Sequence, residues 1–214
     1  MAGRILEITL KSLTVQKNGE VTRPDGQNQL TVSLIYPCPG KPALTTSRPL
    51  TLGEGTTIDY GAAPHTYADR IFFKEEVMGP TMLVVQLTDV EVPTKVTKFM
   101  AGLFSSVFSA AVNIFAPGSN LILAAATHSA AALELDALRL DDGEQLYVIG
   151  AASLEIDSAN LPANPVTLTL TVPRDVNRDK FVFPPGSSKA VKKEQFILKA
   201  GQQNGSITFG IREL

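Results

Sequence analysis

The chain has 214 residues, of which 44% are hydrophobic and 19% are charged, so one large domain or two small ones with a sizeable core can form. Its formal net charge of −2 lacks the basic excess of duplex-binding proteins, which argues against a nucleic acid partner. The single cysteine, Cys38, cannot form an internal disulfide, and Glu7 and Lys11 interrupt any N-terminal apolar run. We therefore expect a cytoplasmic protein without a signal peptide.

The first ninety residues predict β-strands. Residues 4–15 and 29–36 alternate apolar and polar side chains, as half-buried antiparallel strands do, with Leu30, Val32 and Leu34 on one face. The connection between them contains two turn-forming glycine dipeptides, Asn18-Gly19 and Asp25-Gly26, and is expected to be a loop or an irregular hairpin. A Pro/Gly-rich connection with short edge strands follows, and residues 68–77 and 81–92 predict two further strands.

Strand patterns return after residue 142 and continue to the last residue. They cover 143–156, 164–173, 180–184, 194–200 and 205–214. Since strands stand on both sides of one non-β segment, the sequence predicts a single β domain over 1–214 that carries an insertion.

The insertion is predicted to be an α-helical hairpin over residues 94–140. Between Lys98 and Glu134 no acidic or basic side chain occurs apart from His128. On a helix, residues 94–116 collect small and polar side chains on one narrow stripe, and apolar side chains fill most of the remaining circumference. Pro117-Gly118 ends this helix, and an alanine-rich second helix follows.

The wide apolar surface of the first helix needs cover on two sides. We expect its large side chains to be the residues that bind a partner or a membrane: Phe99, Leu103, Phe104, Val107, Phe108 and Phe115. Residues 99–116 would span about 27 Å as a helix, but they include three serines, an asparagine and a glycine. A permanent span is therefore not expected. Burial within the fold or in a homo-oligomer, shallow membrane insertion and a separate protein's groove remain alternatives.

The order of the predicted strands resembles that of C2-type β-sandwich domains. The segments that carry the resemblance are LEITLKSL, LTVSLIY, TYADRIFFKEEV, MLVVQLTDVEV, LYVIGAASLEI and GSITFGIREL. The resemblance implies a mainly β, antiparallel, eight-stranded sandwich. Such a domain would bind a protein or lie peripherally at a membrane surface.

Many C2 domains bind calcium, an ion that needs six to eight oxygen ligands. By position, the candidate ligands are Asp25 with Glu20 in the first loop and Asp89 with Glu91 after the fourth strand. This set is too thin for a calcium site, so a calcium-independent C2-like domain without a cofactor is expected.

Basic residues gather between positions 174 and 193: Arg174, Arg178, Lys180, Lys189, Lys192 and Lys193. They could meet anionic lipid headgroups, although the interleaved Asp175, Asp179 and Glu194 weaken that attraction. A solvated loop face with edge-protecting lysines is the simpler interpretation.

An enzyme would need a catalytic constellation. The sequence offers His65 with Asp69 four residues later, and it lacks a G-x-S-x-G elbow, paired zinc-ligand spacing and a P-loop. The predicted function is a non-enzymatic interaction module in a protein assembly or at a lipid surface, and a hydrolase that uses His65 and Asp69 is the alternative.

Overall fold

The computed structural model describes residues 3–21, 25–35, 44–77, 79–89, 147–182 and 192–214. Within these ranges the strands are β1 (Arg4–Val15), β2 (Asp25–Ile35), β3 (Leu44–Gly53), β4 (Thr56–Asp59), β5 (Ile71–Val77), β6 (Pro80–Asp89), β7 (Tyr147–Asp157), β8 (Val166–Thr171), β9 (Val176–Val182), β10 (Lys192–Leu198) and β11 (Gln203–Glu213), and a short helix, α1, spans Tyr67–Arg70. The hairpin predicted over 94–140 lies outside the described residues.

The strands form a nearly closed, barrel-like antiparallel sheet. Eight of them follow the order β3-β2-β6-β7-β8-β11-β1-β4, β5 also pairs with β1, and β9 pairs with β10 separately. Strands β7 and β8 meet at one residue pair, Ala151 and Thr171, so the sheet divides there into two halves. The prediction of a mainly β, antiparallel fold is confirmed.

Side chains, instead of a backbone ladder, bridge the seam between β3 and β5. The Thr46 hydroxyl donates to the Phe72 carbonyl at 3.3 Å, and the Arg48 guanidinium lies 4.3 Å from the centre of the Phe72 ring. Arg48 also donates to the carbonyls of Ala68, Asp69 and Ile71 at the end of α1. Thr46 and Arg48 thus connect β3 to β5, and Arg48 also supplies positive charge at a helix C-terminus, where it is favourable.

Both halves of the sheet contribute to one hydrophobic core. Leu6 of β1, Leu83 of β6 and Ile207 of β11 are all fully or almost fully buried in the same cluster. The sequence alternation of Leu30 and Val32 also appears as predicted, since both side chains are 0% exposed.

A β-bulge keeps the second half of β1 in register with the core. Leu6, Ile8 and Leu10 point inward, and the pairing with β11 then shifts between Leu10 and Ser12. Because side chains alternate with a period of two, the extra residue moves Leu13 and Val15 onto the inward face. Both are 0% exposed.

The close approach of β1 and β11 can be tested by a substitution at Gly205, which pairs with Val15. Its φ is +150°, and an added Cβ would lie 2.0 Å from the Thr14 carbonyl oxygen. Gly201 is the matched control, with φ +78° and open space around a Cβ. We expect Gly201→Ala to cost about 1–2 kcal/mol for its backbone conformation, and Gly205→Ala to cost a further 1–3 kcal/mol, roughly, for overpacking. Urea denaturation measures both, and equal losses would contradict the close approach.

Candidate functional site at the base of the β6–β7 connection

The residues predicted to bind a partner all fall in the 90–146 connection between β6 and β7. Phe99, Leu103, Phe104, Val107, Phe108 and Phe115 are therefore outside the described residues, and their role stays a prediction. The described structure does fix the two ends of this connection. Asp89, the last residue of β6, stands directly opposite Tyr147, the first residue of β7. The connection thus leaves and rejoins the sheet at one place.

Arg178 of β9 holds these two ends. Its Nη1 lies 2.5 Å from Asp89 Oδ2 and donates to the Gly19 carbonyl at 2.9 Å, while its guanidinium carbon lies 4.3 Å from the centre of the Tyr147 ring. The Arg178 and Asp89 side chains are only 7% and 2% exposed. We call Arg178, Asp89 and Tyr147 the Arg178 clamp, since they join β6, β7 and β9 with the β1–β2 loop.

The clamp is an uncommon arrangement because both charges have left water. Removing one partner of such a pair leaves the other charge buried and unpaired, which typically costs about 3–5 kcal/mol of stability. The cation–π contact stabilises the fold by roughly a further 0.5–2 kcal/mol. Burial, and next the Asp89 carboxylate, raise the pKa of the Tyr147 hydroxyl above its ordinary value. Tyr147 therefore stays neutral at physiological pH.

The β1–β2 loop is shaped to meet the clamp. Gly19 has φ +88°, and a Cβ there would approach the Asp89 Cβ to 2.6 Å, so only glycine fits. Asn18 Nδ2 donates to the Leu52 carbonyl, and Asn28 Nδ2 donates to the Asn18 carbonyl, each at 2.7 Å. Asn18 and Gly19 thus lie in the predicted loop, which these side chains tie to β2 and β3, whereas the prediction of a turn at Asp25-Gly26 was wrong, because these two residues begin β2.

The candidate calcium ligands that the structure describes make separate contacts. Asp89 has its counter-charge in Arg178, and Glu20 Oε1 accepts from the Val21 amide at 3.0 Å. Asp25 opens β2, its side chain is not described, and Glu91 lies outside the described residues. Across the described ranges there is no group of three or more His, Cys, Asp or Glu side chains that could hold a metal. A cation at Asp89 would have to displace the guanidinium.

The interpretation of Arg178 as part of a solvated basic face was wrong. Its neighbour on the same strand face, Val176, is 2% exposed and belongs to the core. That alternation was a usable signal, because residues two apart on a strand share a face. Lys180 does lie near solvent, where it binds Glu54 at 3.1 Å.

The His65 and Asp69 pair is not assembled as a catalytic dyad. Asp69 Oδ2 accepts from the amide and the hydroxyl of Thr66, both at 2.7 Å, and these bonds cap α1 and lower the pKa of the Asp69 carboxyl. The His65 ring lies 4.5 Å from the Tyr60 ring, centre to centre. No hydrogen bond joins the His65 ring to Asp69, two residues that the structure describes, so the orienting contact of a dyad is missing.

A second buried carboxylate, Glu7, lies on the outer face of β1. Its Oε1 accepts from Arg212 Nε at 2.7 Å, the Tyr67 hydroxyl donates to its Oε2, and the ladder also places Lys74 opposite it. The hydrogen bond from Arg212, followed by that from Tyr67, lowers the pKa of the Glu7 carboxyl. This face of the sheet is therefore charged and internally paired.

Comparison with known proteins adds no relative: no family model, curated protein or solved structure matches the chain. Across the described part of the chain, no helix is long and apolar enough to cross a membrane. What the fold and the site define is an antiparallel β protein with a long connection held at its base by a buried ion pair.

The Arg178 clamp can be tested by a double-mutant cycle. We expect Arg178→Met and Asp89→Asn each to lower the free energy of unfolding by about 3–5 kcal/mol, and the double variant to lose less than the sum because the stranded charge is gone. Urea denaturation measures all three. Lys180→Met, on the same strand and in an exposed pair, is the control and should lose at most about 1 kcal/mol. Additive losses at 89 and 178 would show that the two side chains do not act as a pair.

The Glu7 contacts predict part of the acid sensitivity. Because the folded-state pKa of Glu7 lies below its unfolded value, the group stabilises the fold above about pH 4.3, and this contribution is lost as the pH falls through the lowered pKa. Glu7→Gln should flatten the fall of stability between neutral pH and pH values below that range. Arg212→Gln, which removes the largest cause, should flatten it in the same direction. Unchanged pH profiles for both variants would contradict the assignment.

Proposed function

We propose that the protein is a non-enzymatic interaction module: a C2-like β-sandwich over 1–214 that presents an inserted helical hairpin, 94–140, to a protein assembly or to a lipid surface. The observation that carries the proposal is the Arg178 clamp at the base of the connection. The buried ion pair and the Tyr147 ring contact hold the two residues between which the connection leaves and rejoins the sheet, so the inserted segment has a defined point of attachment.

The C2-like architecture is supported by the arrangement of strands. Four strands, β3-β2-β6-β7, make one half of the sheet, and β8-β11-β1 with β4 and β5 make the other. The two halves share one core. The strands quoted for the resemblance occupy both halves and keep the expected order along the chain.

Three of the described carboxylates make contacts that stabilise the fold, which fits a binding function. Asp89 is paired with Arg178, Asp69 caps α1 through Thr66, and Glu7 is held by Arg212. Each holds the fold together, and no described observation favours the hydrolase alternative. The interaction surface is proposed to be Phe99, Leu103, Phe104, Val107, Phe108 and Phe115.

The proposal is tested by liposome co-sedimentation, with neutral and with anionic vesicles, beside light scattering of the lipid-free protein on size exclusion. We expect vesicle binding or a mass above that of the monomer. Phe104→Ser with Phe108→Ser should abolish whichever is seen, because burying each phenylalanine contributes about 1.5–3 kcal/mol.

Ile197→Ser is the matched control, an apolar residue that is 38% exposed on β10. It should leave vesicle binding and mass unchanged. A monomer that ignores both kinds of vesicle would remove the lipid and homo-oligomer branches, and equal effects of the phenylalanine and Ile197 changes would show that the hairpin is not the contact.

A further inference from the structure

The outer face of β2, β3 and β6 carries no charged side chain in its central part. Besides Pro49, which lies opposite Gln29, register and alternation place eight residues on it: Gln29, Thr31 and Ser33 of β2, Thr45 and Ser47 of β3, and Val84, Gln86 and Thr88 of β6. Hydroxyl pairs cross it, with 3.0 Å between the side-chain oxygens of Thr31 and Ser47 and 2.9 Å between those of Ser33 and Thr45. We call these eight residues the hydroxyl face.

Most of the hydroxyl face is buried although it points away from the core; only Thr45, Ser47 and Val84 are half-buried. Thr31 and Ser33 are each 2% exposed, Gln86 is 4% exposed and Thr88 is 0% exposed. Cross-strand hydrogen bonds lie within the plane of the sheet and cannot remove its outer side from water. Ser153 of β7, which the ladder places opposite Val84 on the same side, is exposed. The cover therefore lies over β2 and β6 and ends before β7.

The described elements are placed elsewhere. Strands β1, β4, β5, β8 and β11 build the other half of the sheet, and α1 contacts β1 through Tyr67 and Glu7. The β9–β10 pair enters the core with Val176, Phe196 and Leu198.

Among the remaining stretches of the chain, 90–146 is by far the longest. It also starts one residue after Asp89, which follows Thr88 of the hydroxyl face.

We propose that the segment 98–133 of the β6–β7 connection, which carries no acidic or basic side chain after Lys98 apart from His128, packs on the hydroxyl face. Both surfaces lack charge, so their contact leaves no ion without water or a partner. One helix, about 10 Å across, matches the width of two neighbouring strands, about 10 Å at 4.8 Å per strand, here β2 and β6.

The segment has a surface suited to this seat. On a helix, Gly102, Ser105 and Ser109 form a narrow small and polar stripe that fits against hydroxyls, and Phe104 and Phe108 then remain available on other sides. The inference deepens the proposed function and rests on it for the hairpin conformation. The hairpin then packs first on the sheet of its own chain.

Hydrogen exchange of the full chain, read by mass spectrometry without vesicles and at low protein concentration, tests this docking. Peptides within 98–133 should be protected in the wild type. Thr31→Arg, which buries a charge on the hydroxyl face, should speed their exchange at least tenfold, while peptides of β1 and β11 stay protected. Ser153→Arg, an exposed position beside the face, is the matched control and should change nothing. Fast exchange of 98–133 in the wild type, or no response to Thr31→Arg, overturns the proposal.

A cross-link covers the case in which Thr31→Arg fails to fold. In a Cys38→Ser background, Ser33→Cys with Ser109→Cys should join within one chain through a short bis-maleimide, and Ser153→Cys with Ser109→Cys should join far more slowly. Cross-links only between chains would assign the face to a second copy and overturn the docking. Protection of 98–133 that persists when the protein neither binds vesicles nor self-associates would leave the docking standing and remove those branches of the proposed function.

Discussion

The buried ion pair between Arg178 and Asp89 is the contact on which the arrangement of this molecule depends. It brings β9 to the end of β6, reaches the start of β7 through the Tyr147 ring, and holds the β1–β2 loop through the Gly19 carbonyl. Apolar residues can often replace such pairs without loss of stability, so its value here lies in position. The β6–β7 ladder shifts register between Leu87 and Thr88, just before the clamp. Because Arg178 contacts both Asp89 and Tyr147, it fixes that register shift, and with it the place where the connection begins and ends.

The two outer faces of the sheet follow different rules. Over β1 and β11, buried Glu7 is neutralised by Arg212 and covered by Tyr67, which leaves a charged surface that water solvates well. Over β2 and β6, the outward hydroxyl and amide side chains are buried all the same: Gln29, Thr31, Ser33, Gln86 and Thr88. In the proposed arrangement, the uncharged part of the insertion, residues 99–133, packs on this face, and its large apolar side chains remain available to a partner.

Much of the frame could be predicted from alternation alone. The patterns over 4–15, 81–92 and 205–214 became β1, β6 and β11, because each contains alternating buried apolar side chains, interrupted in β1 by the bulge after Leu10. The α1 turn was taken as strand, although Thr66 and Asp69 have the spacing of a capping box. The burial of Arg178 was missed because its partner, Asp89, lies 89 residues away, and one sequence does not show which charges meet across that distance. The hairpin over 94–140 and its apolar contact residues remain predictions.

The central claim is that Arg178 is buried and paired with Asp89 in solution, and side-chain NMR tests it most directly. In ¹⁵N–¹H spectra assigned through Arg178→Lys, the guanidinium protons of Arg178 should exchange slowly with water, and Asp89→Asn should release them while leaving the other arginine signals unchanged. Exchange as fast as that of the exposed Arg4 guanidinium in the wild-type protein would contradict the account, because the ends of the β6–β7 connection would then lack the contact that holds them.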